Sequence, residues 1–462
     1  MSALSPFRPA PFATAGVDRR RFLGLAGLGL SAAALAACGG PSTSGPSGAS
    51  EAAEVDWSKV TPAKEITFWS SNPGKSQPVT QQLIDAFHAS QSDIRVTLVT
   101  AGANYEEIAQ KFQAAQAGGQ LPDVTIFSDV WWFRYYMLDN IIPLDGLIKA
   151  VGIDTGDYRD QLIADYQYEN AQWAIPWARS TPLFYYNKAH WSAAGLPDRA
   201  PETWEELGEW GPRIQAAGVG TQHTFQLPAL KDYAGWTFQN NLWGWGGGWG
   251  EADSFDVTCD SKQSVAALQF LQDAVYQDKW AGVASNSAPQ DLTAGAVSAT
   301  ISSTGDLVST IQANATFPVG VGYLPGGPEE TKKICPTGGA GLGIPKGIPK
   351  ENQLAAATFI KFLTEPENSV TFSGATGYIP VRTSADTSAL LAANPLVQVA
   401  IDQLGATTRT QDRARVFFPG ADQAMANSCA NILTQQADVQ TEMTALKQAL
   451  TTIYDRDVKP NV

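Results

Sequence analysis

Between Ile66 and Phe127 the hydropathy pattern switches repeatedly between a period of two and a period near 3.6, and this alternation narrows the fold more than any other feature of the chain. Ile66 and Phe68 alternate in a short strand. After the turn residues Asn72-Pro73-Gly74, Val79, Leu83, Ile84 and Phe87 fall on one helical face. Ile94, Val96 and Leu98 alternate again, Ile108, Phe112 and Ala115 return to helical spacing over 105–117, and 123–127 reads as a third strand. Strand, helix, strand, helix, strand predicts a parallel sheet with right-handed crossovers. In such sheets ligands sit beyond the carboxyl ends of the strands, so the loops 69–77, 101–105 and 128–132 are expected to converge on one place.

A second α/β run begins at Phe184-Tyr185-Tyr186-Asn187. Helix-start signals follow at Pro201-Glu202-Thr203-Trp204, then a Trp/Gly-rich segment over 240–250 and helical patterns over 262–277, 352–363 and 439–454. No repeat of fixed period is present. The chain has 462 residues, more than the roughly 250–300 that one core usually serves, so two lobes with several crossings and a cleft between them are expected. The glycines over 338–343 are read as a flexible crossing. A net charge of -14 excludes partners held by a phosphate backbone, which need a basic face. The 14 Trp, 13 Tyr and 19 Phe are mostly core, with a remainder available for stacking on sugars or cations.

The first forty residues read as an address. Arg19, Arg20 and Arg21 precede an uncharged run over 22–37, the charged and apolar regions of a secretory signal. At 16 residues the run is shorter than the roughly 20 needed to span a bilayer. Asp18-Arg19-Arg20-Arg21-Phe22-Leu23-Gly24 resembles a twin-arginine signal, carried by proteins exported already folded. Leu35-Ala36-Ala37-Cys38-Gly39 resembles a bacterial lipobox, in which Cys38 becomes the lipidated first residue. Removal of 1–37 leaves 27 basic and 44 acidic residues, a charge of -17. Such a body is repelled by an anionic membrane and is expected to be held only by its lipid, on a Gly/Ser/Pro tether over 39–50. Cys259, Cys335 and Cys429 remain, an odd number that allows one disulfide at most, with Cys259 to Cys429 the expected pair.

The catalytic signatures fail one by one. Gly74-Lys75-Ser76 sits where a phosphate-binding loop would, but Trp69 occupies the position of that loop's first glycine. No three glycines of 338–343 satisfy a dinucleotide fingerprint. His88, His190 and His223 are isolated from one another, and no Cys/His spacing offers a metal site. Neither cofactor nor metal is expected. A pair of carboxylates for glycoside hydrolysis is set by spatial separation and stays open at this level.

Several segments carry a resemblance. They include Phe68-Trp69-Ser70-Ser71, Gly102-Ala103-Asn104-Tyr105-Glu106 and Phe127-Ser128-Asp129-Val130-Trp131-Trp132-Phe133. Further along come the stretch from Ser180-Thr181-Pro182 to Tyr185-Tyr186-Asn187-Lys188, Ser303-Thr304-Gly305, Pro336-Thr337-Gly338-Gly339-Ala340, Thr376-Gly377-Tyr378-Ile379-Pro380 and Arg413-Ala414-Arg415-Val416-Phe417. From Cys38 onward the chain resembles a lipid-anchored solute-binding protein of an ABC importer, of the Ugp-type glycerol-3-phosphate and glycerophosphodiester-binding family.

The resemblance implies a two-lobed periplasmic-binding-protein fold of type II, each lobe a mostly parallel sheet flanked by helices. It places 1–37 as signal, 38–62 as lipidated Cys and linker, 63–178 with 341–382 as the N-terminal lobe, and 179–340 with 383–462 as the C-terminal lobe. It also implies a ligand set. Tyr105 and Asp129, on two of the converging loops, face glycerol hydroxyls; Ser180, Ser303, Tyr378 and the Gly339 amide serve phosphate oxygens. Arg415 supplies a guanidinium fork for a phosphodiester. Tyr233 and Trp236, three apart, offer two ring faces to a choline. The implied protein is a monomer that performs no chemistry, closes on its solute and delivers it to a membrane permease. Glycerophosphocholine is the expected solute, with glycerol 3-phosphate second. An oligosaccharide carrier and an exported glycoside hydrolase or esterase are the rival readings.

Overall fold

The computed structural model describes residues 55–70 and 73–462, with the side chains of 73, 74 and 231–233 left out. The signal segment, Cys38 and the tether lie outside the described residues. In chain order the elements that build the site are β1 (Glu65–Ser70), α1 (Pro73–Ser90), β2 (Arg95–Thr100), α2 (Tyr105–Gly118), β3 (Val124–Ser128), β4 (Ile175–Ser180) and β5 (Pro182–Asn187). They continue with α3 (Trp204–Ala216), β6 (His223–Leu227), α4 (Leu230–Thr237), β7 (Ala281–Val283), β8 (Val297–Ser303), β9 (Val319–Gly322) and β10 (Gly338–Gly343). The last are α5 (Lys350–Leu363), α6 (Pro366–Thr376), α7 (Arg413–Val416) and α8 (Ala421–Gln435).

Two five-stranded sheets result, in the orders β2-β1-β3-β10-β4 and β9-β5-β8-β6-β7. The expected α/β two-lobed architecture is present. Each sheet is mixed: β1 pairs parallel with β2 and β3, and β8 and β7 pair parallel with β6, whereas β10 and β5 run antiparallel to both of their neighbours. The parallel pairs follow helical crossovers, as their geometry requires. The antiparallel strands include those through which the chain enters one lobe from the other. A single residue, Thr181, separates β4 of one sheet from β5 of the other.

The helices form where the hydropathy period calls for them. Val79, Leu83, Ile84 and Phe87 are all buried on α1, and Phe87 meets Phe359 of α5 edge-on at 5.2 Å. On α2, Ile108, Phe112 and Ala115 are buried, and Asn104 caps the helix by accepting from the Glu107 amide at 2.9 Å. Thr203 does the same for α3, accepting from Glu206 N at 3.1 Å. The second sheet is covered by rings such as Phe184 and Phe225, stacked at 5.8 Å, with Trp204 edge-on to Phe225 at 5.9 Å.

The glycines of 338–343 are a strand rather than a flexible crossing. β10 lies between β3 and β4 and pairs with both, so neighbouring backbones supply the order that glycine propensity would deny. Gly339, at φ 100°, forms a bulge against β4, and a Cβ there would strike the carbonyl of Ala178. The expected disulfide is also absent. Cys259, Cys335 and Cys429 stand as buried free thiols, and burial pushes Cys259 and Cys335 up to about 12 and Cys429 well above its usual value.

Candidate functional site

The converging loops enclose a cleft of about 640 Å³. Lys75 enters from the first turn of α1, Tyr105 from the N-terminus of α2, Ser128 and Asp129 from the end of β3, and Ser180 from the end of β4. Ser303 closes β8, Gly338 and Gly339 open β10, and Trp236, Tyr378, Arg415 and Asp422 complete the wall. Eight of the nine residues singled out from the sequence therefore line one cavity: Tyr105, Asp129, Ser180, Trp236, Ser303, Gly339, Tyr378 and Arg415. Tyr233 falls within α4, but its side chain lies outside the described residues.

The floor is an ion network. Arg415, 3% exposed, donates from Nη1 to Asp129 Oδ2 and from Nε to Asp422 Oδ1, each at 3.0 Å. Gln411 bridges it, accepting from the same guanidinium and donating to Asp129 Oδ2 at 2.9 Å. Asp129 thus has protein partners, where sequence reasoning assigned it to ligand hydroxyls. Burial alone would lower the guanidinium's proton affinity, and the carboxylates of Asp422 and Asp129 hold it above its usual value. Burial likewise raises the Asp422 carboxyl against the pull of Arg415. Tyr105 and Tyr378 bring their hydroxyls within 3.3 Å of each other. Trp236 is fixed by donating from Nε1 to the Thr337 carbonyl at 2.8 Å.

Beneath the floor lies a second pair. Arg179, wholly buried on β4, bonds Asp165, and donates from Nη1 to the Tyr166 hydroxyl at 2.7 Å. Thr337 Oγ1 adds a bond to Asp165 Oδ2 at 2.6 Å, so this cluster ties β4 to the segment entering β10. At the crossing itself, Gln403 Nε2 donates to Thr181 Oγ1 at 2.9 Å and to the Pro182 carbonyl at 2.8 Å.

Sequence reasoning passes over several lining residues. Lys75, rejected as part of a phosphate loop, pairs with Asp306 within the cleft wall. Trp131 and Arg134 line it together, the guanidinium 5.3 Å above the indole. Both stand in or beside a segment quoted for the resemblance, but period and spacing do not tell a lining ring from a core ring. The Ser128 hydroxyl, buried at the cleft, has no partner among the described residues. Across the lining, Lys75, Arg134 and Arg415 face Glu106, Glu107, Asp129, Asp306 and Asp422, an acidic surplus. Among the described residues no group of three or more His, Cys, Asp and Glu is arranged to hold a metal, and no helix is long and apolar enough to cross a membrane.

Two mixed sheets joined through narrow crossings, with polar loops of both facing one cleft, define the architecture of a solute-binding protein. The profile of the bacterial extracellular solute-binding proteins matches residues 82–399, more than half of the chain. Among solved structures, that of UgpB from Mycobacterium tuberculosis in complex with glycerophosphocholine shares 41% identity and superposes with a TM-score of 0.81, covering 86% of this chain and 100% of the other. Maltose-bound MalE3 of T. maritima shares 25% identity at a TM-score of 0.73, covering 85% and 100%. The sn-glycerol-3-phosphate-binding periplasmic protein UgpB of Pectobacterium atrosepticum is 26% identical over 343 residues, 70% of this chain and 74% of that protein. The chain belongs to the bacterial extracellular solute-binding proteins and, among them, to the UgpB family. It is accordingly an exported, UgpB-like substrate-binding component of an ABC importer, which holds a small molecule for delivery to a permease. Members of the family are not enzymes.

Proposed function

We propose that the solute is a glycerophosphodiester, glycerophosphocholine in first place and glycerol 3-phosphate in second. One observation carries this reading: Arg415 shares the cleft floor with two carboxylates, inside a lining whose acidic groups outnumber its basic ones. A phosphate diester, with one negative charge, competes with these carboxylates for the guanidinium. A dianion meets the acidic surplus and is disfavoured. The cationic end of a zwitterion is favoured by the same surplus, and by the ring of Trp236 in the lining. Tyr105, Ser180, Ser303, Tyr378 and the Gly339 amide are the neutral groups assigned to glycerol and phosphate oxygens, Asp129 to hydroxyls, and Tyr233 to the head group.

The lobes assigned to this function are 63–178 with 341–382 and 179–340 with 383–462, closing by hinge motion as a monomer. Residues 1–37 act as a twin-arginine signal, and lipid on Cys38 is the anchor to the outer face of the cytoplasmic membrane. Calorimetry with glycerophosphocholine, glycerol 3-phosphate and maltose tests the solute. Tighter binding of glycerophosphocholine than of glycerol 3-phosphate is expected. Tighter binding of glycerol 3-phosphate removes the charge argument, and binding of maltose alone establishes the oligosaccharide carrier. For the anchor, Cys38→Ser is expected in the wash of a membrane fraction, and its retention there sinks the lipid assignment.

A further inference from the structure

The Trp/Gly-rich segment 240–250 does not line the cleft, yet it encloses a carboxylate one residue from Gln411 and three from Arg415. Asp412 is wholly buried. Its Oδ2 accepts from the backbone N–H groups of Trp249 at 2.8 Å and Gly250 at 3.4 Å, and its Oδ1 accepts from Trp243 Nε1 at 3.1 Å. Gly248 is required by this seat, since a Cβ there would come within 2.9 Å of Oδ2. The Asp412 backbone carbonyl accepts from Arg415 N at 2.9 Å, and its own amide donates to Gln239 Oε1 at 3.3 Å. Gln239 in turn donates to Gln411 Oε1 at 3.0 Å. Asp412 pairs with Arg409, at 4.0 Å on the same segment, whose guanidinium lies 4.8 Å over Trp243. The groups that face Asp412 from the packed elements are indole and amide N–H donors.

We propose that Asp412 is a positioning residue of the solute site: held in an anion nest built by Trp243, Trp249 and Gly250, its carboxylate fixes residues 411–415 so that Gln411 and Arg415 meet Asp129 on the cleft floor. Convergent backbone and indole N–H groups bind anions in this way, and a fixed second layer is what holds a ligand-facing guanidinium in register. The energetics fit a group kept for function. Burial pushes the Asp412 carboxyl up to about 6, so its contribution to folding is greatest below the ordinary carboxylate range and is lost as pH rises through that value. The ionised form at neutral pH therefore costs the fold stability, as strained or desolvated groups at functional sites often do. The inference rests on the cleft being the solute site.

The test compares the full mature chain with its Asp412→Asn variant. Asn keeps the shape but turns an N–H donor toward Trp243 in place of an acceptor. Glycerophosphocholine binding at about pH 7.5 is expected to weaken ten- to a hundredfold, the scale of loss when a supporting residue lets a contact group shift. Between about pH 7.5 and about pH 5 the wild type is expected to lose affinity and the variant to lose markedly less, because the group that takes the proton is gone. The wild-type pH profile retained in the variant, or unchanged affinity, overturns the proposal. A ligand-free measurement separates this from the choice of solute: the Arg415 side-chain Nε–H resonance, identified with Arg415→Lys, is expected to shift or broaden in Asp412→Asn. If the wild type binds no glycerophosphocholine, the solute reading fails while this resonance still decides, and an unmoved resonance overturns the positioning role. Should Asp412→Asn not fold, Gly248→Ala, which crowds the same oxygen, is expected to give the same displacement of the resonance, and its failure to do so overturns the proposal.

Discussion

Arg179 and Arg415 are both buried guanidinium groups paired with aspartates, the first outside the cleft lining and the second within it. Arg179 stands off the cavity: it is wholly buried against Tyr166 and bonded to Asp165, and neither it nor Asp165, which keeps 15% exposure, lines the cleft. Arg415 lines the cavity, and one of its two carboxylates, Asp422, retains 21% exposure. The same pair of functional groups therefore serves two ends. Off the cavity the pair ties strands at the lobe crossing, and at the cleft it borders the space where the proposed phosphodiester would compete for it. Access to the cleft decides between them, because a guanidinium that does not line the cavity cannot meet what enters it.

The largest expected effect breaks the pair that lies off the cavity. Arg179→Ala leaves the mostly covered Asp165 without its cation and is expected to cost about 3–5 kcal/mol of folding stability, read as a lowered urea midpoint. A midpoint within error of wild type erases the distinction between the two sites. On the open side, Arg415→Ala is expected to cost about 2–4 kcal/mol of glycerophosphocholine binding by calorimetry, with the fold retained. Equal affinity of variant and wild type would move the phosphate away from the floor. Trp236→Ala is expected to shrink the preference for glycerophosphocholine over glycerol 3-phosphate by roughly 0.5–2 kcal/mol, the value of a ring face to a cation. An unchanged preference returns the ring to a packing role. The smallest effect belongs to Lys75, whose partly exposed pair with Asp306 is expected to contribute no more than about 1 kcal/mol to stability. For Lys75→Met, a larger loss of binding than of stability would add it to the phosphate-holding groups.

Much of this was legible in residues alone. Hydropathy period determined the β1 to β3 unit, because alternation and helical spacing follow from which faces must be buried. It also determined that the loops after those strands converge, and Tyr105 and Asp129 from two of those loops line one cleft. The N-terminal segment read as a signal lies outside the described residues, and that reading rests on the sequence. What the tertiary structure decided concerns pairs distant in sequence. The glycines of β10 became a strand because β3 and β4 flank them, and Cys259 and Cys429 remained thiols because no partner sulfur is brought to them. Arg415 reaches Asp129 across 286 positions and Asp412 reaches Trp249 across 163. No period or local spacing encodes such contacts, since they arise when two segments, each folded for its own burial, are closed onto a common core.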